Sequence, residues 1–88
     1  MTGDVIDNRQ ASRYEYTVDG HTAFANYRRD GQVLTVLYVE APPELRGTGA
    51  AGRLMEGIVA DAQRQNLSIV PVCGYAAAWL RKHEGRAL

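Results

Sequence analysis

The segment Pro43-Glu44-Leu45-Arg46-Gly47-Thr48-Gly49-Ala50-Ala51-Gly52-Arg53 places three glycines and two arginines in one short stretch. An apolar, helix-periodic run follows it directly, so the glycines sit where a helix begins. Helix N-termini present unpaired N–H groups and a partial positive charge, and so hold anions. Glycine lets a phosphate approach the backbone without a Cβ in the way. Arg46 adds a fixed positive charge at the mouth. These ingredients suit a pyrophosphate. Three other side chains carry reactive chemistry. Glu40 lies just upstream and can accept a proton, directly or through water, or can be a solvated loop carboxylate. Cys73 sits between an apolar run and a second helical segment. A helix N-terminus there would make its thiol more nucleophilic, but a small buried apolar residue is the other reading. Tyr75 is a proton donor or a cap on the core. No residue is assigned to a metal.

Three motifs compete for the glycine segment. Gly47-x-Gly49-x-x-Gly52 matches the dinucleotide fingerprint letter for letter. That fingerprint needs a tight strand-to-helix turn, whereas the preceding strand ends near Val39. It also needs an acidic residue at the end of the next strand and a second half-sheet, and 88 residues supply neither. A phosphate-binding P-loop requires Lys then Ser or Thr after the last glycine, and this chain has Arg53-Leu54.

The third motif fits. Arg46-Gly47-Thr48-Gly49-Ala50-Ala51 resembles the (Arg/Gln)-x-x-Gly-x-(Gly/Ala) loop of the GNAT acetyltransferases, and the whole run VEAPPELRGTGAAGRLMEG resembles that superfamily's strand–loop–helix core. The ending Val70-Pro71-Val72-Cys73-Gly74-Tyr75-Ala76, with Arg81-Lys82-His83, is similar to a subgroup of small single-domain members. The resemblance implies a truncated GNAT fold that binds acetyl-CoA. It places the pyrophosphate on Arg46, Gly47, Thr48, Gly49, Ala50 and Ala51. Tyr38 and Val39 would run alongside the pantetheine arm, and Cys73 would stand near the thioester sulfur. It further implies an N-acetyltransferase with a small-molecule or protein amine as acceptor. Cys73, Glu40 and Tyr75 are the candidate catalytic residues, with transfer either direct or through an acetylated Cys73. Where larger members carry a tyrosine in the last helix, this chain has Leu80. That substitution motivates an alternative, a non-catalytic module that binds CoA or an acyl-CoA.

The elements that must position these residues are legible from periodicity. Arg13–Val18, His21–Arg29 and Gln32–Val39 read as strands, separated by Asp19-Gly20 and Asp30-Gly31. Asp-Gly between apolar runs signals a two-residue hairpin whose turn positions need positive φ. Two in succession predict a three-stranded antiparallel meander. The third strand is apolar on both faces, as in a central strand covered on two sides. From Thr48 to Gln65 the period becomes helical, with Ala51, Leu54, Met55, Ile58, Val59 and Ala62 as one stripe and Asn66 as a stop. Leu67–Val72 reads as a fourth strand, parallel to the third through a right-handed crossover. Ala76–His83 reads as a final helix with Trp79 and Leu80 inward. The expected class is α/β (α+β), a mostly antiparallel sheet with one parallel pair.

Size and composition bound the rest. The chain is expected to form one domain over residues 13–88, with a flexible lead-in over 1–12. Ten basic side chains balance ten acidic ones, which argues against general binding to nucleic acid or an anionic membrane. A lone cysteine permits no internal disulfide and, with no secretory signal, points to the cytoplasm. The sheet edges suggest a monomer or a weak homodimer.

Overall fold

The computed structural model describes residues 5–83. Residues 1–4 of the expected lead-in and the last five residues of the expected domain lie outside the described residues. The elements run β1 (Ile6–Asn8), β2 (Arg13–Val18), β3 (His21–Asp30), β4 (Val33–Glu40), a 3₁₀ turn (Pro43–Leu45), α1 (Ala50–Arg64), β5 (Ser68–Pro71) and α2 (Gly74–Lys82). Among the described residues the strands form one five-stranded sheet in the order β1-β2-β3-β4-β5. Neighbours β1 to β4 are antiparallel, and β5 is parallel to β4. Among the described residues no helix is long and apolar enough to cross a membrane.

The meander is present and one strand longer than expected. Ile6–Asn8, inside the expected lead-in, pairs with β2 through Ile6↔Glu15, Asp7↔Tyr14 and Asn8↔Arg13. Its support is tertiary. The Tyr27 hydroxyl donates to Asp7 at 2.5 Å, and Val5 packs where a side chain on Gly57 would stand. Neither contact is local enough to leave a periodic signal.

The two hairpins differ. Asp19 and Gly20 both take positive φ, 52° and 81°, as an Asp-Gly turn requires. At the second hairpin Asp30 is the last residue of β3 and pairs with Val33, so the turn is Gly31-Gln32. Only Gly31 has positive φ there. Glycine at the first turn position suits a type II′ geometry, and the turn slips one residue.

The helix boundaries follow local chemistry. Gly49 caps α1 at its N-terminus in the left-handed conformation, φ 84°. At the other end Leu67 N–H reaches Ala62 O at 2.8 Å and Asn66 N–H reaches Gln63 O at 3.3 Å, with Asn66 at φ 57°. That is a Schellman closure, and the asparagine accepts the left-handed position that ends the helix.

One core cluster joins Tyr14, Tyr16, Ala23, Ala25, Leu34 and Val36 of the sheet to Leu54, Met55, Ile58 and Val59 of α1 and Ala76 and Trp79 of α2. Leu34, Val36, Leu54, Met55 and Ile58 are fully buried. The apolar stripe of α1 begins at Ala50 rather than Ala51, which leaves Ala51 half-buried beside a surface cleft. β4 is interior in the sheet, but Val33, Leu37 and Tyr38 remain exposed. The expectation of cover on two sides therefore does not hold: both helices join a single core, and the run of apolar residues in β4 continues onto an open face.

Candidate functional site

The site begins where β4 and β5 part. Their parallel pairing covers Val33–Val36 against Ser68–Pro71 and stops there. The Val36 carbonyl is the last shared acceptor, taking Val72 N–H at 2.9 Å and Cys73 N–H at 3.2 Å. In the pairing with β3, Tyr27 faces Val36 while Asn26 faces Tyr38, so Leu37 is an extra residue, a β-bulge. A bulge bends its strand and raises its twist. Tyr38–Glu40 thus pair with β3 alone, and the other side of Leu37–Glu40 faces no strand among the described residues.

Two adjoining cavities lie along this stretch. One, of about 280 Å³, is lined by Tyr38, Val39, Glu40, Arg46, Ala51 and Tyr75 among others. The next, of about 290 Å³, is lined by Arg46, Gly47, Gly49, Ala50, Ala51 and Gly52, and shares Ala41, Arg46, Ala51 and Tyr75 with the first. The structure therefore brings most of the residues named from sequence into one cleft. Thr48 and Cys73 line neither cavity.

The loop amides divide into two groups. Arg46 N–H bonds to Pro43 O at 3.2 Å, closing the 3₁₀ turn, and Thr48 N–H bonds to Leu45 O at 3.2 Å, closing the turn over Arg46-Gly47 that follows it. Ala50 N–H is capped by Thr48 Oγ1 at 3.3 Å, while that hydroxyl donates to Leu45 O at 2.5 Å. Among the described residues, the amides of Gly47, Gly49, Ala51 and Gly52 have no hydrogen-bond partner. Gly47 and Gly49 hold φ of 80° and 84°, and a Cβ on either would meet nothing within 4 Å. Glycine is required there by backbone conformation, and the space in front of it is open. The arrangement fits an anion held by backbone amides at a helix N-terminus. The roles expected of the Arg46, Thr48 and Ala50 amides are taken by the loop's own bonds; Arg46 keeps its guanidinium, oriented by Nε–H to Ala41 O at 3.2 Å. Gly52 was missed because its glycine spacing belongs to the fingerprint that the sequence excludes.

Glu40 is the last residue of β4, not a loop residue beyond it. It is half-buried and accepts a short hydrogen bond from the Tyr38 hydroxyl. That bond to the carboxylate, with its charge, holds the Tyr38 phenol above its ordinary pKa. Tyr38 also leans on Phe24, ring centroids 6.4 Å apart. Cys73 is the N-cap residue of α2, half-buried and a free thiol. Tyr75, the second residue of α2, lines both cavities and is 42% exposed. Burial of part of its ring raises its pKa, so its hydroxyl stays protonated at neutral pH. Leu80 packs against the core. His83 closes α2, with Nδ1 2.8 Å from Trp79 O and its ring stacked on the indole at 3.8 Å, a C-terminal role away from the cleft.

A strand that bulges away from its parallel neighbour, a proline-led turn, and free glycine amides at the start of a crossover helix form a unit with a known counterpart. No curated protein matches the chain. A family model described as GCN5-related N-acetyl-transferase matches residues 13–87, from the start of β2 through the cleft and α2. The chain belongs to the GCN5-related N-acetyltransferase family.

Proposed function

We propose that the chain is an acetyl-CoA-dependent N-acetyltransferase that acts on a primary amine. The observation that carries this reading is the set of four unpartnered amides, Gly47, Gly49, Ala51 and Gly52, lining a cavity that adjoins Glu40 and Tyr75. Acetyl-CoA would supply the activated acetyl group as a thioester. The Gly47, Gly49, Ala51 and Gly52 amides, the α1 N-terminus and the Arg46 guanidinium would hold its phosphates. The unpaired side of Leu37–Glu40 offers backbone groups to an amide-bearing arm and to a carbonyl that gains negative charge. Glu40 takes a proton from the incoming ammonium or amine. Tyr38 keeps that carboxylate oriented by its hydrogen bond. Tyr75, protonated at neutral pH, donates toward a leaving sulfur. Most of the rate enhancement would come from holding two substrates together.

Calorimetric titration with acetyl-CoA tests the binding half, and a screen of small amines and lysine peptides tests the transfer half. Absence of saturable acetyl-CoA binding would end the proposal. Mass spectrometry after incubation with acetyl-CoA separates the two routes: an acetyl adduct that disappears in Cys73→Ala indicates passage through the cysteine. The acceptor, whether small molecule or protein, and residence in the cytoplasm as a monomer or weak homodimer belong to the same proposal.

A second reading is a CoA- or acyl-CoA-binding module without turnover. Leu80 packed in the core where larger members place an acid favours it, as does a Cys73 that lines neither cavity. This reading expects acetyl-CoA affinity with no product from any amine.

A further inference from the structure

A cavity of about 660 Å³ opens between α1 and the β1–β2 end of the sheet, and it shares no lining residue with the cleft. Tyr16 lines it and is only 3% exposed. The hydroxyls of its neighbours are engaged: Tyr14 donates to Asp61 at 2.7 Å and Tyr27 to Asp7 at 2.5 Å. The Tyr16 hydroxyl has no partner among the described residues. Among the described residues no fully buried polar side-chain atom lacks a partner, so that hydroxyl reaches open space, and the cavity that Tyr16 lines is beside it.

Two charged groups on the wall are also free. Arg53 and Glu56 lie one turn apart on α1, both line the cavity, and neither forms a hydrogen bond or ion pair among the described residues. At the far end the charges are already matched, with Asp61 holding Arg64 and Asp7 holding Arg9. The Tyr16 side chain is nearly buried and its hydroxyl has no partner among the described residues, while Arg53 and Glu56 beside it are exposed and unpaired, so all three are available to one ligand.

The wall composition selects the occupant. A simple anion would meet Asp7, Glu56 and Asp61; a simple cation would meet Arg53 and Arg64. A molecule with both charges finds a counterpart for each, and guanidinium with hydroxyl is a good carboxylate receptor. We propose that this cavity binds a zwitterionic small molecule of the amino-acid type, its carboxylate on Arg53 and the Tyr16 hydroxyl and its ammonium on Glu56. The site stands apart from the acetyl-donor cleft and does not rest on the proposed activity.

The test uses the full chain without acetyl-CoA. The probes are the twenty proteinogenic L-amino acids at millimolar concentration, followed by the N-acetyl and carboxamide derivatives of any that bind. Two-dimensional amide NMR reads the response. At least one free amino acid should give saturable shifts at Tyr16, Arg53 and Gly57. Its two derivatives, each lacking one charge, should bind at least about tenfold more weakly, as should Tyr16→Phe and Glu56→Gln with the free amino acid, since each change removes a hydrogen bond to a charged group. Both variants should keep the wild-type fold by circular dichroism, and their acetyl-CoA titration should match wild type. The proposal is overturned if no amino acid shifts those amides, if the derivatives bind as well as the parent, or if both variants bind like wild type.

Discussion

Gly49 has two reasons to be glycine, and they separate experimentally. Its φ of 84° disfavours any L side chain, and it stands at the open end of the loop cavity. Gly49→Ala carries mainly the conformational strain, roughly 1–2 kcal/mol, and should leave measurable acetyl-CoA affinity. Gly49→Asp adds a negative charge beside the proposed phosphate position and should abolish binding in a calorimetric titration while the circular dichroism spectrum is unchanged. Wild-type affinity in the aspartate variant would remove the loop from the site. Glu40 makes a different prediction. Glu40→Gln preserves the Tyr38 contact sterically but removes the proposed base. Amine acetylation should fall by about 10²–10⁴-fold in kcat/KM, with acetyl-CoA affinity unchanged. At this scale the sequence was legible for residue types and poor for amide partners. The Arg46–Ala51 run announces an anion loop, yet only the 3₁₀ turn and the turn over Arg46-Gly47 after it decide that the Arg46 and Thr48 amides are engaged and those of Gly47, Gly49, Ala51 and Gly52 are not. Spacing holds no record of that division.

Elements with a complete local code could be read, and those built by distant contacts could not. Asp19-Gly20 and Asn66 each adopt the left-handed backbone their types allow, so a hairpin and a helix end were placed correctly. β1 escaped because Ile6, Asp7 and Asn8 carry one apolar side chain among them. The bulge at Leu37 escaped because the extra residue hides within a uniformly apolar run. Gly57 shows how β1 depends on α1. A Cβ there would lie 2.4 Å and 2.5 Å from Val5 side-chain atoms. Gly57→Ala gains about 1 kcal/mol of helix propensity but evicts Val5. Hydrogen exchange should accelerate across β1 and at its β2 partners Tyr14 and Glu15, while α1 keeps its protection. Unchanged exchange in β1 would show that Val5 does not anchor the strand.

The molecule as a whole is fastened partly by tyrosine–aspartate bonds, Tyr14 joining the sheet to α1 and Tyr27 joining β3 to β1, and pH acts on those fasteners with a definite sign. Burial works to raise the Asp61 pKa, but hydrogen bonds from Tyr14 and Gln65 and the nearby Arg64 charge together hold it below the usual carboxylate value. A carboxyl depressed in the folded state stabilises above its unfolded pKa and loses that contribution as pH falls through the folded one. Tyr14→Phe should therefore cost about 1–2 kcal/mol near neutrality, with the gap to wild type narrowing in acid below pH 4 as read by denaturant titration. Tyr27 acts at the other extreme. Burial and the Asp7 bond push its phenol up to about 12 from 10.0. A group raised in the folded state stabilises fully below its unfolded value and ceases to as pH climbs through the folded one. Wild-type stability should drop between pH 10 and 12 more steeply than that of Tyr27→Phe.

The parting of β4 from β5 at Val36 leaves main-chain groups of Leu37–Glu40 with no strand beside them among the described residues. Whatever lies there completes the ladder from outside the polypeptide, as a surrogate strand. Selection at such an edge is by repeat distance along a linear molecule rather than by shape. A thioester on a stub too short to reach from the glycine loop to Glu40 would be a poor donor however reactive its acyl group.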